Sequence, residues 1–214
     1  MAQVNEFMQQ TGQPEQRIAG CHAIVLSGGA SRRMGERKEL LQIAGEPLLL
    51  RLCRSLSEAA EEVTVVADRE RSYDFLPSHV RIAVDQVADY GPIAGICAGM
   101  TNSRLPLQLV VACDYPLTSP RIWTELAQLL TSHPEVDTVV PEAGGKLHPL
   151  CAIYRSTTLP VWEAALRSGN RRVMEAMQAM RMLAWRPEAA GAAGLMNMNT
   201  PEDFRLAKER LGEC

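Results

Sequence analysis

Residues 23 to 38 contain the side chains of this sequence that are best suited to binding phosphate. The segment reads AIVLSGGASRRMGERK, an apolar run followed by a glycine pair and then by four cationic side chains within seven positions. Gly28 and Gly29 allow the backbone to turn sharply and to approach a ligand with no Cβ in the way. We therefore expect a loop at a strand end that faces a polyanion with Arg32, Arg33, Arg37 and Lys38.

Two better-known glycine motifs do not fit this loop. A P-loop has a glycine, four further residues and then Gly-Lys-Ser/Thr, whereas a dinucleotide-binding fingerprint has Gly-x-Gly-x-x-Gly. Here the glycine pair is adjacent, the next glycine is Gly35, and Lys38 is followed by Glu39 rather than by Ser or Thr. The pattern therefore argues against a P-loop NTPase and against an enzyme that transfers hydride with a nicotinamide cofactor.

The overall composition points to a small anionic ligand rather than to a polymer. The 214 residues carry a formal net charge of −3, so the cationic loop is local and focuses positive potential on one cleft. We expect no nucleic-acid partner and no membrane partner. The sequence shows neither a signal-peptide pattern nor an apolar stretch of about 18 residues, which predicts a cytoplasmic protein. The six cysteines include no Cys-x-x-Cys pair, so we expect reduced thiols.

Short β-rich runs alternate with amphipathic helical patterns along the chain. Strands are predicted for residues 22–26, 63–67, 80–84, 107–112 and 138–141, and helices for residues 47–60, 120–130, 159–167, 173–180 and onward from 201. Thr200 and Asp203 predict a capped start for the last of these helices. The alternation predicts the α/β class, with a mostly parallel sheet covered by helices on both faces. We expect one domain over residues 18–214 and a disordered extension over residues 1–17.

Three predicted strand ends carry polar groups. Ligands of parallel α/β sheets bind beyond the carboxyl ends of the strands. The cationic loop follows the first predicted strand, Asp85 follows the third and Asp114 follows the fourth, so we expect all three to line one crevice. Asp114 suits Mg²⁺, because this ion takes one or two protein carboxylates and otherwise waters and phosphates. An Asx-type turn before Pro116 is the alternative role of Asp114.

The spacing Leu-x-Gly-Gly-x-x-x-Arg-Met-Gly-x-x-Lys, from Leu26 to Lys38, resembles the signature of nucleotidyltransferases, especially of the molybdenum cofactor guanylyltransferases. Later segments resemble further motifs of that family in the same order. They are residues 91–95 (GPIAG), 113–116 (CDYP), 148–150 (HPL) and 197–203 (NMNTPED). The resemblance covers roughly residues 20 to 210, and the combination is far more specific than any single motif.

The resemblance implies a single Rossmann-like nucleotidyltransferase domain that transfers GMP from GTP to the terminal phosphate of molybdenum-molybdopterin, with Mg²⁺ as cofactor and pyrophosphate as the second product. GTP and molybdenum-molybdopterin are the implied partners, together with cofactor-insertion proteins and apo-molybdoenzymes. The implied catalytic residues are Lys38, Arg33 and Asp114, and Asp114 is also the implied metal ligand. Nucleotide or cofactor contacts are implied for Leu26, Ser27, Gly28, Gly29, Lys38, Asp85, Gly91, Pro92, Asp114, Asn197 and Asn199.

Other positions that match the family leave alternatives open. Asn197 and Asn199 either contact the acceptor phosphate or the metal, or make ordinary loop hydrogen bonds. For His148 we expect a structural hydrogen bond rather than acid–base catalysis. Arg171 and Arg172 either meet the acidic acceptor or start a solvated helix.

Two positions depart from the family's pattern. Arg37 stands where the family usually has an acidic residue, directly before its lysine, and Val66 stands where some relatives carry an asparagine near the nucleoside. The Arg37 departure keeps open a non-catalytic protein that binds and carries the nucleotide or the pterin. A cytidylyltransferase of the same cofactor is the other alternative, because a glycine-rich loop binds any triphosphate. The Asn-x-Asn-Thr-Pro ending and the Gly-Pro-x-x-Gly segment favour guanine by resemblance.

Overall fold

Strands and helices alternate through most of the chain. The computed structural model describes residues 17–27, 37–67, 73–84 and 91–212, so the predicted N-terminal extension lies outside the described residues except for Arg17. The strands are β1 (Ile18–Leu26), β2 (Gln42–Ile43), β3 (Glu46–Pro47), β4 (Ala60–Ala67), β5 (Arg81–Val84), β6 (Leu107–Ala112), β7 (Thr138–Ala143), β8 (Lys146–Leu147), β9 (Cys151–Arg155) and β10 (Met182–Trp185). The helices are α1 (Leu48–Ala59), α2 (Pro92–Met100), α3 (Pro120–Ser132), α4 (Leu159–Arg167), α5 (Val173–Ala176), α6 (Ala189–Gly194) and α7 (Pro201–Arg210).

Eight of these strands form one mixed sheet. Its order is β10-β7-β9-β6-β1-β4-β5, and β8 pairs with β7. β1 is parallel to both β4 and β6, β4 is parallel to β5, and β10 is parallel to β7. Among the described strands of this sheet, β9 and the short β8 run antiparallel to their neighbours. The mostly parallel sheet predicted from the sequence is confirmed.

Helices cover both faces of the sheet, and the central strands are accordingly apolar throughout. Ala23, Ile24 and Val25 of β1 are all completely buried, as is typical of a parallel strand between two helical layers. α1 packs on β1, β4 and α3, whereas α2 packs on β1, β4 and α4. The predicted α/β architecture with helices on both faces is therefore confirmed.

Two glycines bring α2 unusually close to β1. A Cβ on Gly99 would collide with the side chain of Ile24, and a Cβ on Gly95 would lie 3.0 Å from Leu26. Leu26 is the last residue of β1, and Gly95 lies in the first turn of α2, which begins at Pro92. The amino end of α2 is therefore close to the carboxyl end of β1.

The strand order reverses beside β1. β4 lies on one side of β1 and β6 on the other, and Leu26 pairs with Ala112, so the two strands end level with each other. Open α/β sheets bind their ligands at such a switch point, beyond the carboxyl ends of the strands. The segments that follow Leu26 and Ala112 therefore lie where a sheet of this kind binds its ligand.

Cysteines of the described segments behave as small core residues. Cys21, Cys53, Cys97, Cys113 and Cys151 are buried and form no disulfide within the described segments, and burial raises the pKa of Cys21, Cys53 and Cys151 to about 12. Such thiols stay protonated and unreactive near neutral pH. Separately, the described ranges contain no helix that is both long and apolar enough to cross a bilayer.

Candidate active site

Lys38 lies on a short 3₁₀ turn, Lys38–Leu40. Its ammonium group donates a hydrogen bond of 2.6 Å to the main-chain oxygen of Met198 and one of 2.9 Å to Oδ1 of Asn199. An ammonium group has three donors, so one N–H remains beyond these two contacts. Lys38 is thus held in place by a segment far along the chain while it keeps a donor for an anion.

Asp114 follows the end of β6, and the same distant segment holds it. The amide of Met198 donates to the main-chain oxygen of Asp114 at 2.7 Å. Oδ1 of Asp114 is buried and has no hydrogen-bond partner within the described part of the chain. Burial raises the pKa of the carboxyl group above its ordinary value, while the charge of Lys38 and the side chain of Asn197 lower it. An ionised, buried oxygen without a donor is stabilised by a bound cation.

The segment from Asn197 to Asn199 connects these two charged residues. Nδ2 of Asn199 donates to Oδ1 of Asn197, and the side chain of Asn197 is close enough to the carboxyl group of Asp114 to lower its pKa. The hydrogen-bonded connection between the two charged residues runs through the main chain of Met198, whose oxygen accepts from Lys38 and whose amide donates to Asp114. Asn199 bonds to both Lys38 and Asn197.

A capping box fixes the end of this segment at the start of α7. Oδ2 of Asp203 accepts hydrogen bonds from the amides of Asn199 and Thr200, each at 2.8 Å, and the amide of Asp203 donates to Oγ1 of Thr200 at 3.1 Å. These reciprocal bonds satisfy amides that the first turn of a helix leaves unpaired. The capped helix start predicted from Thr200 and Asp203 is confirmed.

A small apolar cluster fixes the middle of the same segment. Met198 is completely buried against Ile43 of β2 and Leu48 of α1. Leu41, Phe204 and Leu211 pack around these three residues, apart from the main core. The cluster thus presses the last segment of the chain against the hairpin that follows Lys38.

The predicted nucleoside-binding residues of the described segments lie near one another at the carboxyl ends of the central strands. The amide of Cys113 donates to the main-chain oxygen of Leu26 at 3.1 Å, and the amide of Ser27 donates to that of Val66 at 2.9 Å. Gly91 has φ 67° and ψ −157°, which essentially only glycine adopts, and Pro92 follows it at the first position of α2. The positive end of the α2 dipole therefore faces the region where β1 ends.

Glu39 is a buried acid beside Lys38 that motif reasoning missed. It is 2% exposed, and its Oε1 accepts a hydrogen bond of 2.8 Å from Nε of Arg37. This bond raises the pKa of Arg37 above its ordinary value. The hydroxyl of Tyr73, also missed, lies 3.5 Å from Oε1 of Glu39 and 2.7 Å from Oγ of Ser27. The signal in the sequence is the acid directly after Lys38. Its negative charge balances the positive charge of Arg37, which directly precedes Lys38.

His148 borders the site through Tyr115, the neighbour of Asp114. Its Nδ1 lies 3.3 Å from the hydroxyl of Tyr115 and its Nε2 lies 3.4 Å from the main-chain oxygen of Ala143. Burial lowers the pKa of the imidazole below its ordinary value. His148 is accordingly neutral near pH 7 and held by hydrogen bonds.

The remaining predicted positions lie elsewhere. The side chain of Arg172 bonds to Glu175 at the start of α5. Four of the predicted site residues lie outside the described residues, namely Gly28, Gly29, Arg33 and Asp85. Hydrogen bonds connect Lys38 to Asn199 and to the main chain of Met198, which in turn bonds to Asp114, and Asn199 bonds to Asn197. Leu26, Ser27, Gly91 and Pro92 lie at adjoining strand and helix ends.

The fold and the site define a class of protein. A mostly parallel α/β sheet that presents an ammonium group, a buried carboxylate and a helix amino end at its switch point is a nucleotide-binding enzyme scaffold. Residues 23–181 match the family model of the MobA-like NTP transferase domain. The chain belongs to that family of nucleotidyltransferases.

Relatives over nearly the whole chain have been named for one activity. A probable molybdenum cofactor guanylyltransferase of Chloroflexus aggregans is 32% identical over 201 residues, which cover 88% of this chain and 94% of that protein. A protein of the same name from Bacillus subtilis is 32% identical over 193 residues, which cover 87% of this chain and 94% of the relative.

Solved structures share the fold. Molybdopterin-guanine dinucleotide biosynthesis protein A from Archaeoglobus fulgidus superposes with a TM-score of 0.74 at 23% identity, over 88% of this chain and 97% of that one. 2-C-methyl-D-erythritol 4-phosphate cytidylyltransferase from Thermus thermophilus superposes with a TM-score of 0.65 at 17% identity, over 91% and 98% of the two chains. The architecture alone therefore does not select the nucleobase.

Proposed function

We propose that this nucleotidyltransferase moves the GMP group of GTP onto the terminal phosphate of molybdenum-molybdopterin and releases pyrophosphate. The observation that carries the proposal is the pair of hydrogen bonds by which the main chain of Met198 connects the ammonium group of Lys38 to the main chain of Asp114, so that a cation and a carboxylate lie together at one switch point. The names of relatives that are 32% identical over most of their length support guanine and the molybdenum cofactor as the substrates.

Lys38 is suited to binding the triphosphate. In the reaction, an oxygen of the acceptor phosphate bonds to the α-phosphorus of GTP while the bond from that phosphorus to pyrophosphate breaks. The N–H of Lys38 that neither Met198 nor Asn199 uses is available to an anionic oxygen as its charge grows. We assign the role of a second phosphate-binding cation to Arg33. The acceptor phosphate is already anionic near pH 7, so no side chain has to remove a proton from it.

Asp114 fits a Mg²⁺ site. Its Oδ1 is buried and faces no hydrogen-bond donor of the described residues, and those residues include no cluster of three or more acidic, histidine or cysteine side chains. Mg²⁺ suits such a place because it takes one or two protein carboxylates and completes its shell with water and substrate phosphates. When bound, it neutralises charge on the phosphates.

The other predicted residues form the rest of the proposed nucleotide site. We assign Leu26, Ser27, Gly28 and Gly29 to the nucleoside and phosphates, because a glycine-containing backbone offers a ligand little steric obstruction. Asp85 accepts hydrogen bonds from guanosine, and Gly91 and Pro92 bring backbone against the base. We place the reaction in the cytoplasm, with cofactor-insertion proteins and apo-molybdoenzymes as the recipients of its product.

The test is pyrophosphate release from each of the four ribonucleoside triphosphates, with and without molybdenum-loaded molybdopterin and with and without Mg²⁺. We expect release from GTP when both the acceptor and Mg²⁺ are present. Preference for CTP would replace the proposal with cytidyl transfer. Tight GTP binding without pyrophosphate release would replace it with a carrier role.

A further inference from the structure

The buried acid beside Lys38 has no part in the transfer reaction proposed above. The side chain of Glu39 is 3% exposed, whereas that of its partner Arg37 is 42% exposed. Burying a carboxylate is costly, and an ion pair of this kind rarely stabilises a fold more than apolar side chains of the same volume would. Stability alone is therefore a poor explanation for placing a charge here.

Tyr73 joins the ion pair to the end of β1. Its hydroxyl forms a hydrogen bond of 2.7 Å with Oγ of Ser27 and lies 3.5 Å from both the main-chain oxygen of Ser27 and Oε1 of Glu39. Its ring centre lies 5.6 Å from the guanidinium carbon of Arg37, within the range of a cation–π contact. One buried aromatic side chain therefore touches the strand end at Ser27 and both neighbours of Lys38.

These contacts are separate from those that hold the ammonium group. Lys38 itself bonds to the last segment of the chain, whereas Arg37 and Glu39 on either side of it bond to each other and approach Tyr73. The 3₁₀ turn is thus anchored at two independent places. Within the described residues, Tyr73 relates this turn to Ser27.

We propose that Glu39 and Tyr73 are positioning residues that keep Ser27 and Lys38 at a fixed separation, so that both ends of a nucleoside triphosphate bind at once. The inference rests on the proposed function for the identity of the ligand. According to this proposal, the link from Ser27 through Tyr73 to Glu39 raises the affinity for the nucleotide although Tyr73 and Glu39 do not contact the nucleotide. A rigid relation between two binding groups improves affinity because less ordering is required on binding.

The test uses Tyr73→Phe, Glu39→Gln and the double variant in the full-length chain. Tyr73→Phe removes the hydroxyl yet keeps the ring, which contacts Phe75 edge-to-face at 5.8 Å. We expect the Kd for a fluorescent GTP analogue with Mg²⁺ to rise about fivefold in Tyr73→Phe, the effect of about one hydrogen bond. The double variant should lose less affinity than the product of the two single losses, because both changes cut the same link.

Thr138→Val is the matched control. Thr138 is completely buried at the start of β7, and its Oγ1 donates a hydrogen bond of 2.8 Å to the main-chain oxygen of Ile153. This variant also loses one buried hydroxyl, but at a strand well separated from β1 in the sheet. We expect its melting temperature to fall while its Kd stays unchanged. An unchanged Kd in Tyr73→Phe, with melting lowered as in the control, would reduce the link to a structural role and overturn the inference.

Hydrogen exchange separates this inference from the proposed function. If the wild-type protein binds none of the four nucleoside triphosphates, the proposed function fails. The link can still be tested at the amide of Ser27, which bonds to Val66, and at the amides of Leu40 and Leu41, which close the turn after Arg37. We expect faster exchange at both places in Tyr73→Phe than in the wild type. Unchanged exchange at either place would overturn the link.

Discussion

In the proposed reaction, the ammonium group of Lys38 binds phosphate only if it is both charged and correctly placed. We expect Lys38→Ala to lower the kcat of pyrophosphate release by about 100-fold or more, because one fixed charge that stabilises a transition state contributes at about this level. The melting temperature should change little, since the contact of Lys38 with Asn199 is exposed and the contact with Met198 is only part-buried, so that water can replace the ammonium group at both oxygens. Steady-state kinetics and thermal melting check this, with the exposed Lys146→Ala as control. Equal losses in both variants would contradict it.

The ionised carboxylate of Asp114 is expected to destabilise the folded protein when no metal ion is bound. Burial raises the pKa of its carboxyl group, so the ionised form is less stable in the folded chain than in the unfolded chain. This destabilisation is present above the folded-state pKa and is relieved as the pH falls below it. Asp114→Asn should therefore abolish most Mg²⁺-dependent turnover while leaving the free energy of unfolding at pH 7 equal or higher. Urea unfolding together with pyrophosphate release measures both quantities.

Asp137→Asn gives the opposite pattern and serves as the control. Arg181 holds the pKa of Asp137 below its ordinary value through side-chain and main-chain hydrogen bonds. Its ionised form therefore stabilises the fold above the unfolded-state pKa, and this stabilisation is lost as the pH falls through the folded-state pKa. We expect Asp137→Asn to destabilise the protein and leave turnover intact. A stability loss in Asp114→Asn as large as that in Asp137→Asn would refute the assignment.

Motifs locate part of the site at the scale of single residues. Lys38, Asp114 and the asparagine pair carry recognisable spacing, and the structure brings them together at one segment of the chain. Glu39 follows Lys38 directly in the sequence, but its burial and its contact with Tyr73 depend on how segments distant in the sequence meet in the fold. A buried charge cannot be recognised from its residue type, since acids at most positions are exposed.

Met198 packs in the small apolar cluster and also bonds to Lys38 and Asp114 of the proposed active site. Met198→Ala empties part of the small cluster that also contains Ile43 and Leu48. Buried Met→Ala changes cost about 2–5 kcal/mol. We expect turnover to fall beyond what this destabilisation explains, because the same residue holds Lys38 and Asp114 through its main chain.

Met177→Ala is the matched comparison for that prediction. Met177 is equally a buried methionine, at 3% exposure, but it belongs to the main core beside α5. Kinetics well below the melting temperature should show at least a tenfold lower kcat/KM in Met198→Ala than in Met177→Ala. Similar kcat/KM values in the two variants would remove the special role of the small cluster.

Periodicity predicts the long elements and fails for the short ones. The helices predicted over residues 47–60 and 120–130 have strong apolar stripes, and the structure contains them as α1 (Leu48–Ala59) and α3 (Pro120–Ser132). The helix predicted over residues 173–180 instead ends at Ala176 and continues as a 3₁₀ turn, Met177–Ala179. β9 and β10 have five and four residues. They are too short to show a period, so the antiparallel strand within the sheet has no clear sequence signal.

At the scale of the whole molecule, a buried histidine ties three central strands together. Nδ1 of His22 lies 2.8 Å from Oε1 of Gln108, and Nε2 lies 2.8 Å from Oγ1 of Thr64. Burial lowers the pKa of His22 below its ordinary value, with the charge of Arg81 acting in the same direction and Gln108 and Glu62 opposing both. The neutral ring therefore stabilises the sheet fully above the unfolded-state pKa.

Acid should weaken the fold through this histidine. As the pH falls below about 6.5, His22 becomes protonated in the unfolded chain but remains neutral in the folded chain. The free energy of unfolding therefore declines until the folded-state pKa is reached. We expect roughly 1 kcal/mol of stability to be lost between pH 7.5 and pH 5.5. Urea unfolding at the two pH values measures the loss, which His22→Gln should reduce and which the exposed His133→Gln should retain. An equal pH dependence in His22→Gln and in the wild type would exclude His22 as the cause.

The path from Lys38 to Asp114 runs through residues that the ribosome adds late. The last described strand of the sheet ends at Trp185, whereas the connection between the two charges requires Met198. Since a chain begins to fold from its amino-terminal part during synthesis, the sheet can form before the two charges are linked. A polypeptide released between these points would contain every described strand of the sheet and still lack the residue that connects Lys38 to Asp114.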